Sequence, residues 1–284
     1  MRNKLKNRVV ILGASGFLGG EIEKQARENG WDVLGLSSRD INLQEADAEK
    51  QLLKILRDED ILIFSAGKVP VRNSKMFSQN IEIFEKVCYA TLGLELAQFV
   101  LISSDSVYGS ESGVFTELST CSPDTLHGLM SFSKEVIFNG INCRIKSIIR
   151  PTPIYGNSDP HNSYGPNRFL KQSLEEKKIT ILGNGTSIRD HIFVEDVARI
   201  VNETILIKFS GILNAASGNS CSFLSLAKVI QSLSPGQVSI EQLGNESTPS
   251  FIYYDISKVT KVMPNVQIHG IKNGLLKILA ERST

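Results

Sequence analysis

Arg8-Val9-Val10-Ile11-Leu12-Gly13-Ala14-Ser15-Gly16-Phe17-Leu18-Gly19 is the stretch that decides the fold. The apolar, largely β-branched run from 8 to 12 predicts a strand that enters a glycine loop. Leu18, Ile22 and Ala26 then recur at helical spacing, and Gly30 closes that helix. Gly13 permits the tight turn, Gly16 lets backbone approach a pyrophosphate, and Gly19 allows close packing of helix on strand. The helix N-terminus then faces the phosphate. With Ser15, Phe17 and Leu18, these glycines are the expected dinucleotide-binding residues. The alternative is a glycine-rich turn that only packs its helix.

The next strand, 32–36, ends where the ribose of a dinucleotide is selected. An acid there would bond the 2′-hydroxyl of NAD, but the residues are Ser37-Ser38-Arg39. A hydroxyl and a guanidinium suit a 2′-phosphate, so the expected cofactor is NAD(P) with NADP favoured. Arg39 also reads as a solvated loop residue.

Working outward, strands are expected at 61–64, 99–103, 146–149 and 212–216. Helices are expected at 18–29, 50–56, 76–96, 125–138, 194–207 and 223–232. Strands alternating with helices imply right-handed crossovers and a parallel sheet. The fold class is therefore α/β, a Rossmann-type doubly wound parallel sheet with a small C-terminal substrate lobe. Residues 1–150 form the dinucleotide-binding part and 151–284 the lobe, which partly returns to the sheet. Residues 151–167 carry Pro151, Pro153, Gly156, Pro160, Gly165 and Pro166, a loop system of the kind that carries function on a rigid scaffold.

Composition narrows the partners. The 284 residues carry a net charge of +1. No basic stripe of the kind nucleic acid requires is present. Arg2, Lys4, Lys6 and Arg8 read as a solvated lead into the first strand. Cys88, Cys121, Cys143 and Cys221 form no C-x-x-C pair and suit free thiols in a reducing compartment. The first strand begins almost at once, and no apolar run approaches the roughly eighteen residues of a membrane span. The expectation is a cytoplasmic protein with no membrane or nucleic-acid partner.

Three further motifs carry a resemblance. Ser65-Ala66-Gly67 follows the third strand, and Ser103-Ser104-Asp105-Ser106-Val107-Tyr108-Gly109 follows the fourth. Arg150-Pro151-Thr152-Pro153-Ile154-Tyr155-Gly156 and the run Ile188 to Ala198 complete the set. In this order, and with the glycine spacing, the chain resembles the extended short-chain dehydrogenases, the nucleotide-sugar epimerases, dehydratases and ketoreductases, over nearly its whole length. The resemblance implies a nucleotide-sugar substrate, a homodimer built on the 76–96 and 125–138 helices, and a place in surface polysaccharide synthesis. It adds Ser65, Ala66 and Gly67 to the cofactor residues.

The resemblance also implies a Tyr-x-x-x-Lys pair on the helix after the fourth strand, where tyrosine exchanges a proton with the sugar and lysine tunes it. With Gly128 and Glu135 as the frame, His127 stands at the tyrosine position and Ser131 at the lysine position. Shifting the frame by three places Lys134 at the lysine position but leaves Met130 as its partner. Tyr254-Asp255-Ile256-Ser257-Lys258 has the right spacing but lies where the family has a structural turn. Ser104 matches the residue that holds the reacting oxygen. Asp105 matches a dehydratase acid whose partner base is replaced by Ser106, which argues against dehydration; Asp105 also reads as a turn cap.

Three roles are open to His127: the acid–base group, since imidazole titrates at about 6.5 against about 10 for phenol; a relic in a dinucleotide-binding sensor or scaffold; or a satisfied histidine with no role. The likeness places a diphosphate near Asn167, Arg168 and Arg189, with Arg189 the foremost contact. Arg189 reads alternatively as a partner of Glu195 or Asp196. Pro153 replaces an asparagine of the family motif, and Ser247 to Tyr254 offers no late arginine. His161 and His191 lack spaced carboxylates, so no metal is expected. The activity implied is reduction or epimerisation at a sugar carbon.

Overall fold

The structure, a computed structural model, describes residues 7–157, 159–244 and 248–282. Arg2, Lys4 and Lys6 of the N-terminal basic cluster lie outside the described residues. β1 (Arg8–Leu12) leads through the glycine loop into α1 (Phe17–Glu28), β2 (Asp32–Leu36), α2 (Ala48–Ile55), β3 (Ile61–Phe64), α3 (Ser74–Ala90) and β4 (Gln98–Ile102). A 3-10 turn (Asp105–Tyr108) and β5 (Gly113–Phe115) precede α4 (Leu126–Asn139) and β6 (Lys146–Pro151). Next come β7 (Ile154–Tyr155), α5 (Pro166–Glu175), β8 (Lys178–Leu182), β9 (Ile188–Arg189), β10 (Ile192–Phe193) and α6 (Val194–Leu206). β11 (Gly211–Ala215), β12 (Cys221–Ser222), α7 (Phe223–Leu233), β13 (Ser239–Leu243), β14 (Ile252–Tyr254), α8 (Ser257–Val262) and α9 (Ile271–Arg282) follow.

The central sheet has six parallel strands in the order β11-β6-β4-β3-β1-β2. Its strands are apolar on both faces, as a parallel sheet covered by helices on both sides requires. Val9 and Ile11 of β1 and Ile61 and Ile63 of β3 join one core with α1 and α6. Val10, Leu12, Leu62 and Phe64 point the other way into a second core with α2 and α3. The alternation is the period-2 consequence of strand geometry. β11 brings residues of the C-terminal half into this sheet, so the two halves share a core.

The expected α3 is shorter than the sequence pattern suggests. It ends at Ala90 with Thr91 as its C-cap, and Gly93 at φ +85° turns the chain away before Leu96. Four two-stranded ribbons outside the main sheet were not expected, being too short for a periodic signal. One of them pairs β14 with β5 in parallel, matching Tyr254 with Phe115. α5, also unforeseen, starts at Pro166 within the loop system. Among the described residues no helix is long and apolar enough to cross a membrane. The four cysteines are free.

Candidate active site

The glycine loop is built as its spacing requires. Gly13 holds φ +93°, and a Cβ there would lie 2.8 Å from the Ala66 nitrogen. A Cβ on Gly19 would lie 2.1 Å from the Gly13 carbonyl oxygen, so helix and strand touch through bare backbone. A Cβ on Gly16 would meet only the Gly13 oxygen, at 3.1 Å, leaving its other side open. Gly16 caps α1 without a side-chain hydrogen bond, and the first turn holds no acid. The helix N-terminus therefore offers uncompensated N–H groups and positive potential.

A cavity of about 300 Å³ opens at this point, lined by Gly13, Ser15, Gly16, Ser37, Ser38 and the Ser65–Lys68 segment. These residues fit a dinucleotide: small side chains, hydroxyls and glycine backbone in an open cradle. The side chains of Phe17, Leu18 and Arg39 are not among its lining. Leu18 is buried in the core, and the Phe17 ring packs by Gly156. Arg39 is exposed, and its neighbour Asp40 folds back so that its carboxylate accepts from the Ser37 backbone N–H (2.8 Å) and hydroxyl (2.7 Å). The Ser37 hydrogen bonds hold Asp40 below the usual carboxylate range. Sequence reading missed Asp40, Lys68 and the Ile41–Gln44 wall of the cavity. Lys68 is adjacent to an expected motif, but the wall has no motif of its own.

At the end of β4, Ser104 caps the 3-10 turn. Its Oγ accepts from the Ser106 N–H (3.2 Å) and lies 3.3 Å from Asp105 Oδ1 and 3.1 Å from Ser106 Oγ. The second Asp105 oxygen accepts from the Tyr254 hydroxyl at 2.8 Å. Burial pushes Asp105 up to about 6, against the opposing pull of the Tyr254 and Ser104 hydrogen bonds. Burial and the facing carboxylate raise the Tyr254 phenol as well. Tyr254, read from sequence as part of a structural turn, thus reaches the carboxylate beside Ser104. The β14–β5 pairing brings it there.

α4 borders the same turn. Thr125 caps it by accepting from the Gly128 N–H at 3.0 Å. A Cβ on Gly128 would lie 2.2 Å from the Ser106 carbonyl, so only glycine allows this approach. Farther along, Glu135 accepts from Ser103 Oγ (2.5 Å) and from Arg150 Nε (2.9 Å) and Nη2 (2.6 Å). Arg150 also donates to Tyr108 Oη, which donates to Asn214. Of the two residues that framed the motif, Gly128 is held against Ser106 of the 3-10 turn, and Glu135 is held by Ser103, just past β4, and by Arg150 of β6. His127 immediately precedes Gly128, and the buried Ser131 lies between Gly128 and Glu135. His127 Nδ1 is buried and lacks a partner among the described residues. Burial, and then the nearby Lys134 ammonium, lower His127 to about 4, so its ring is neutral at neutral pH.

On the substrate side, Arg189 does not pair with Glu195 or Asp196. Glu195 binds Lys277, and Asp196 binds Arg199 and His269. Arg189 instead donates to the Ile188 carbonyl (2.7 Å), the Ser250 carbonyl (3.1 Å) and the Ser250 hydroxyl (2.6 Å). Its charge still acts on Asp105, which places both in one region. Arg168 is exposed over the Tyr164 ring. Asn167 is engaged locally, accepting from the Gly156 N–H and donating to Asp159. His161 is exposed and His191 is buried, the latter lowered to about 4 by burial and by Arg189. Among the described residues no group of three His, Cys, Asp or Glu side chains is placed to hold a metal ion.

Residues 9–206 match the family described as the NAD dependent epimerase/dehydratase family. The chain is 23% identical to the uncharacterized UDP-glucose epimerase YtcB of Bacillus subtilis, covering 98% of each protein. It is also 23% identical to the spore coat polysaccharide biosynthesis protein SpsK of the same organism, again over 98% of each. Among solved structures, it is similar to UDP-glucuronic acid 4-epimerase from Bacillus cereus in complex with UDP-glucuronic acid and NAD. That likeness has a TM-score of 0.83 at 22% identity, over 97% of this chain and 99% of the other.

Proposed function

The chain belongs to the NAD-dependent epimerase/dehydratase family, and from that premise we propose that it epimerises or reduces a nucleotide-activated sugar at a ring carbon. The observation that carries the reading is the hydrogen-bonded line Tyr254–Asp105–Ser104, set at the end of β4 beside the dinucleotide cradle. Gly13, Ser15, Gly16, Ser37, Ser38, Ser65, Ala66 and Gly67 hold the cofactor. A nicotinamide bound there would supply reversible hydride acceptance at the sugar carbon.

The chain's own residues handle the proton. Ser104 accepts the hydrogen bond of the reacting hydroxyl. As the alcohol becomes a ketone, its proton passes to Ser104 Oγ while the Ser104 proton passes to Asp105 Oδ1. Reversal returns it to an alkoxide formed on either face. A carboxylate that titrates near 6 is matched to this task, since transfer is most effective when the acceptor's pKa lies near the working pH. His127, neutral at that pH, hydrogen-bonds the same oxygen and Ser131 leaves room beside it. Arg189, braced on Ser250, faces the diphosphate with Arg168 and Asn167 at the α5 end. Residues 151–284 act as the substrate lobe, and exposed Leu129 and Val136 of α4 with Tyr89 of α3 form the apolar surface for a homodimer.

We favour NAD over NADP. Asp40 sets a negative charge at the Ser37 end of the cavity, where it would repel a 2′-phosphate, and the solved relative holds NAD. The free guanidinium of Arg39 supports the opposite choice. Comparing dissociation constants for NADH and NADPH decides between them: tighter NADPH binding that is lost in Arg39→Ala would reverse the assignment.

A second reading, a dinucleotide-binding sensor without turnover, draws on the depressed basicity of His127 and the missing tyrosine and lysine. Protein with NAD is incubated with UDP-glucose, UDP-glucuronic acid and UDP-N-acetylglucosamine, and with NADH or NADPH and 4-keto nucleotide sugars. Products are read by proton NMR and mass. An epimer, or a product two mass units heavier than its keto precursor, is expected. Cofactor binding with no product from any sugar favours the sensor.

A further inference from the structure

Between β2 and α2 the chain runs from 37 to 47 without helix or strand, and residues 41–44 of that stretch form a wall of the dinucleotide cavity. Local bonds shape the stretch. The Ser37 carbonyl accepts from the Asp40 and Ile41 N–H groups, and the Asn42 carbonyl accepts from the Glu45 N–H at 2.9 Å. Such turns fix the curl of the loop but not its position against the rest of the protein. Among the described residues, the hydrogen bonds that reach 41–45 from other elements come from two lysines. Lys68, itself in the cavity lining, donates to the Gln44 side chain at 2.8 Å. Lys86 of α3 donates to three successive backbone carbonyls, those of Leu43 (3.4 Å), Gln44 (3.2 Å) and Glu45 (3.1 Å).

The donor suits its acceptors. An ammonium carries three donors and no acceptor, and its charge strengthens each bond. Glu82, one turn earlier on α3, pairs with the same ammonium at 2.8 Å and steadies it over the loop. Ile83, three residues before Lys86, lines the cavity, so α3 supplies both part of the lining and the clamp on the wall. Lys86 is not in the lining and acts only through the loop. Gln44 and Glu45 are exposed, so water can satisfy their carbonyls if the ammonium is removed. Water cannot fix them relative to α3. A wall held in advance spares the ligand the cost of ordering it.

We propose that Lys86 is a positioning residue for the bound dinucleotide: it pins the carbonyls of 43–45 to α3 and so holds the wall against which the adenosine half lies. This rests on the cofactor reading above, and the adenosine half is placed here because its ribose is selected at the end of β2. Lys86→Met keeps the stem and removes the donors. The loop then moves independently of α3 in the ligand-free protein, while the sheet keeps its stability. NAD and ADP lose affinity alike, because both carry the adenosine half. Lys86→Arg, which keeps a charged donor, retains most of the affinity.

The experiment is calorimetric titration of the full chain with NAD and, separately, with ADP, on wild type, Lys86→Met, Lys86→Arg and Glu82→Gln. Hydrogen–deuterium exchange, read by mass with and without NAD, is recorded alongside. The expected result is a joint loss of NAD and ADP affinity of about fivefold or more in Lys86→Met, the cost of ordering a short loop on binding. Lys86→Arg and Glu82→Gln stay within about threefold of wild type, because the loop keeps its cationic donor. Exchange in ligand-free Lys86→Met rises in peptides covering 41–47 and not in those covering β1 and β3, and saturating NAD restores the protection. Unchanged NAD affinity in Lys86→Met overturns the proposal while leaving the cofactor reading intact. Exchange raised across the sheet as well as the loop also overturns it, making Lys86 a support of the fold, and so does an arginine variant as weak as the methionine one. Wild type that binds neither nucleotide defeats the cofactor reading, and the proposal with it.

Discussion

Asp105 and Tyr254 stand 149 positions apart in sequence and 2.8 Å apart in space. The phenol donates to the carboxylate and so favours its ionised form. Tyr254→Phe keeps the ring but removes that bond, which for a charged acceptor is worth about 1.5–3 kcal/mol. Asp105 then titrates higher still. Because the carboxylate must be ionised to accept a proton, activity falls as pH drops through about 6 in the wild type. In Tyr254→Phe that acid limb moves upward by on the order of one pH unit, measured as kcat/KM from pH 5 to 9. A limb that stays in place removes Asp105 as the acceptor. Glu135 offers a contrast, since its role is structural. Glu135→Ala strands the Arg150 guanidinium in the core, at a cost of about 3–5 kcal/mol, and the thermal midpoint falls by on the order of 10 °C. Ser104, Asp105 and His127 could be named as candidates from the sequence because each is positioned by a neighbouring motif. Tyr254 could not, because its approach to Asp105 depends on which short strand pairs with β5, and that leaves no trace in spacing.

The glycine loop shows how far an element can be read from its residues. Its three glycines have separate duties, and substitution separates them. Gly19→Ala drives a methyl into the Gly13 carbonyl, so both stability and cofactor binding suffer. Gly16→Ala meets far less, so the ligand-free thermal midpoint stays within a few degrees of wild type, while NAD affinity falls at least tenfold as the methyl occupies the open side of the cradle. Calorimetric binding and thermal melts of the two variants together check the assignment; equal destabilisation by both contradicts it. Sheet strands and their helices were predictable because their apolar runs are long and periodic. The two- and three-residue strands that carry Arg189 and Tyr254 are too short for any period, and α3 stops early because Thr91 and Gly93 end it where the apolar pattern continues to Leu96.

Across the whole molecule, one sheet shared by the N-terminal half and β11 ties the cofactor cradle to the substrate side. A ligand that binds this assembled state stabilises all of it. NAD at a hundred times its dissociation constant adds about 2.7 kcal/mol, a rise of roughly 5–10 °C in thermal midpoint; no rise at saturating NAD contradicts a cofactor site. The exposed apolar residues of α3 and α4 set the assembly prediction. Sedimentation gives a dimer, and Leu129→Glu with Val136→Glu gives a folded monomer. A wild-type monomer at micromolar concentration rules that surface out.

The proposed hydride chemistry requires a carboxylate–serine relay in place of the tyrosine and lysine of the family motif. The most direct measurement is stopped-flow absorbance at the reduced-nicotinamide band, mixing NAD-saturated protein with each UDP-sugar under single-turnover conditions. The expected result is a rise in absorbance on mixing with at least one sugar, slowed at least a hundredfold in Asp105→Asn and retained in a variant of an exposed residue far from the site, such as Lys54→Ala. Saturated protein that shows no change with any sugar, or an Asp105→Asn rate equal to wild type, contradicts it.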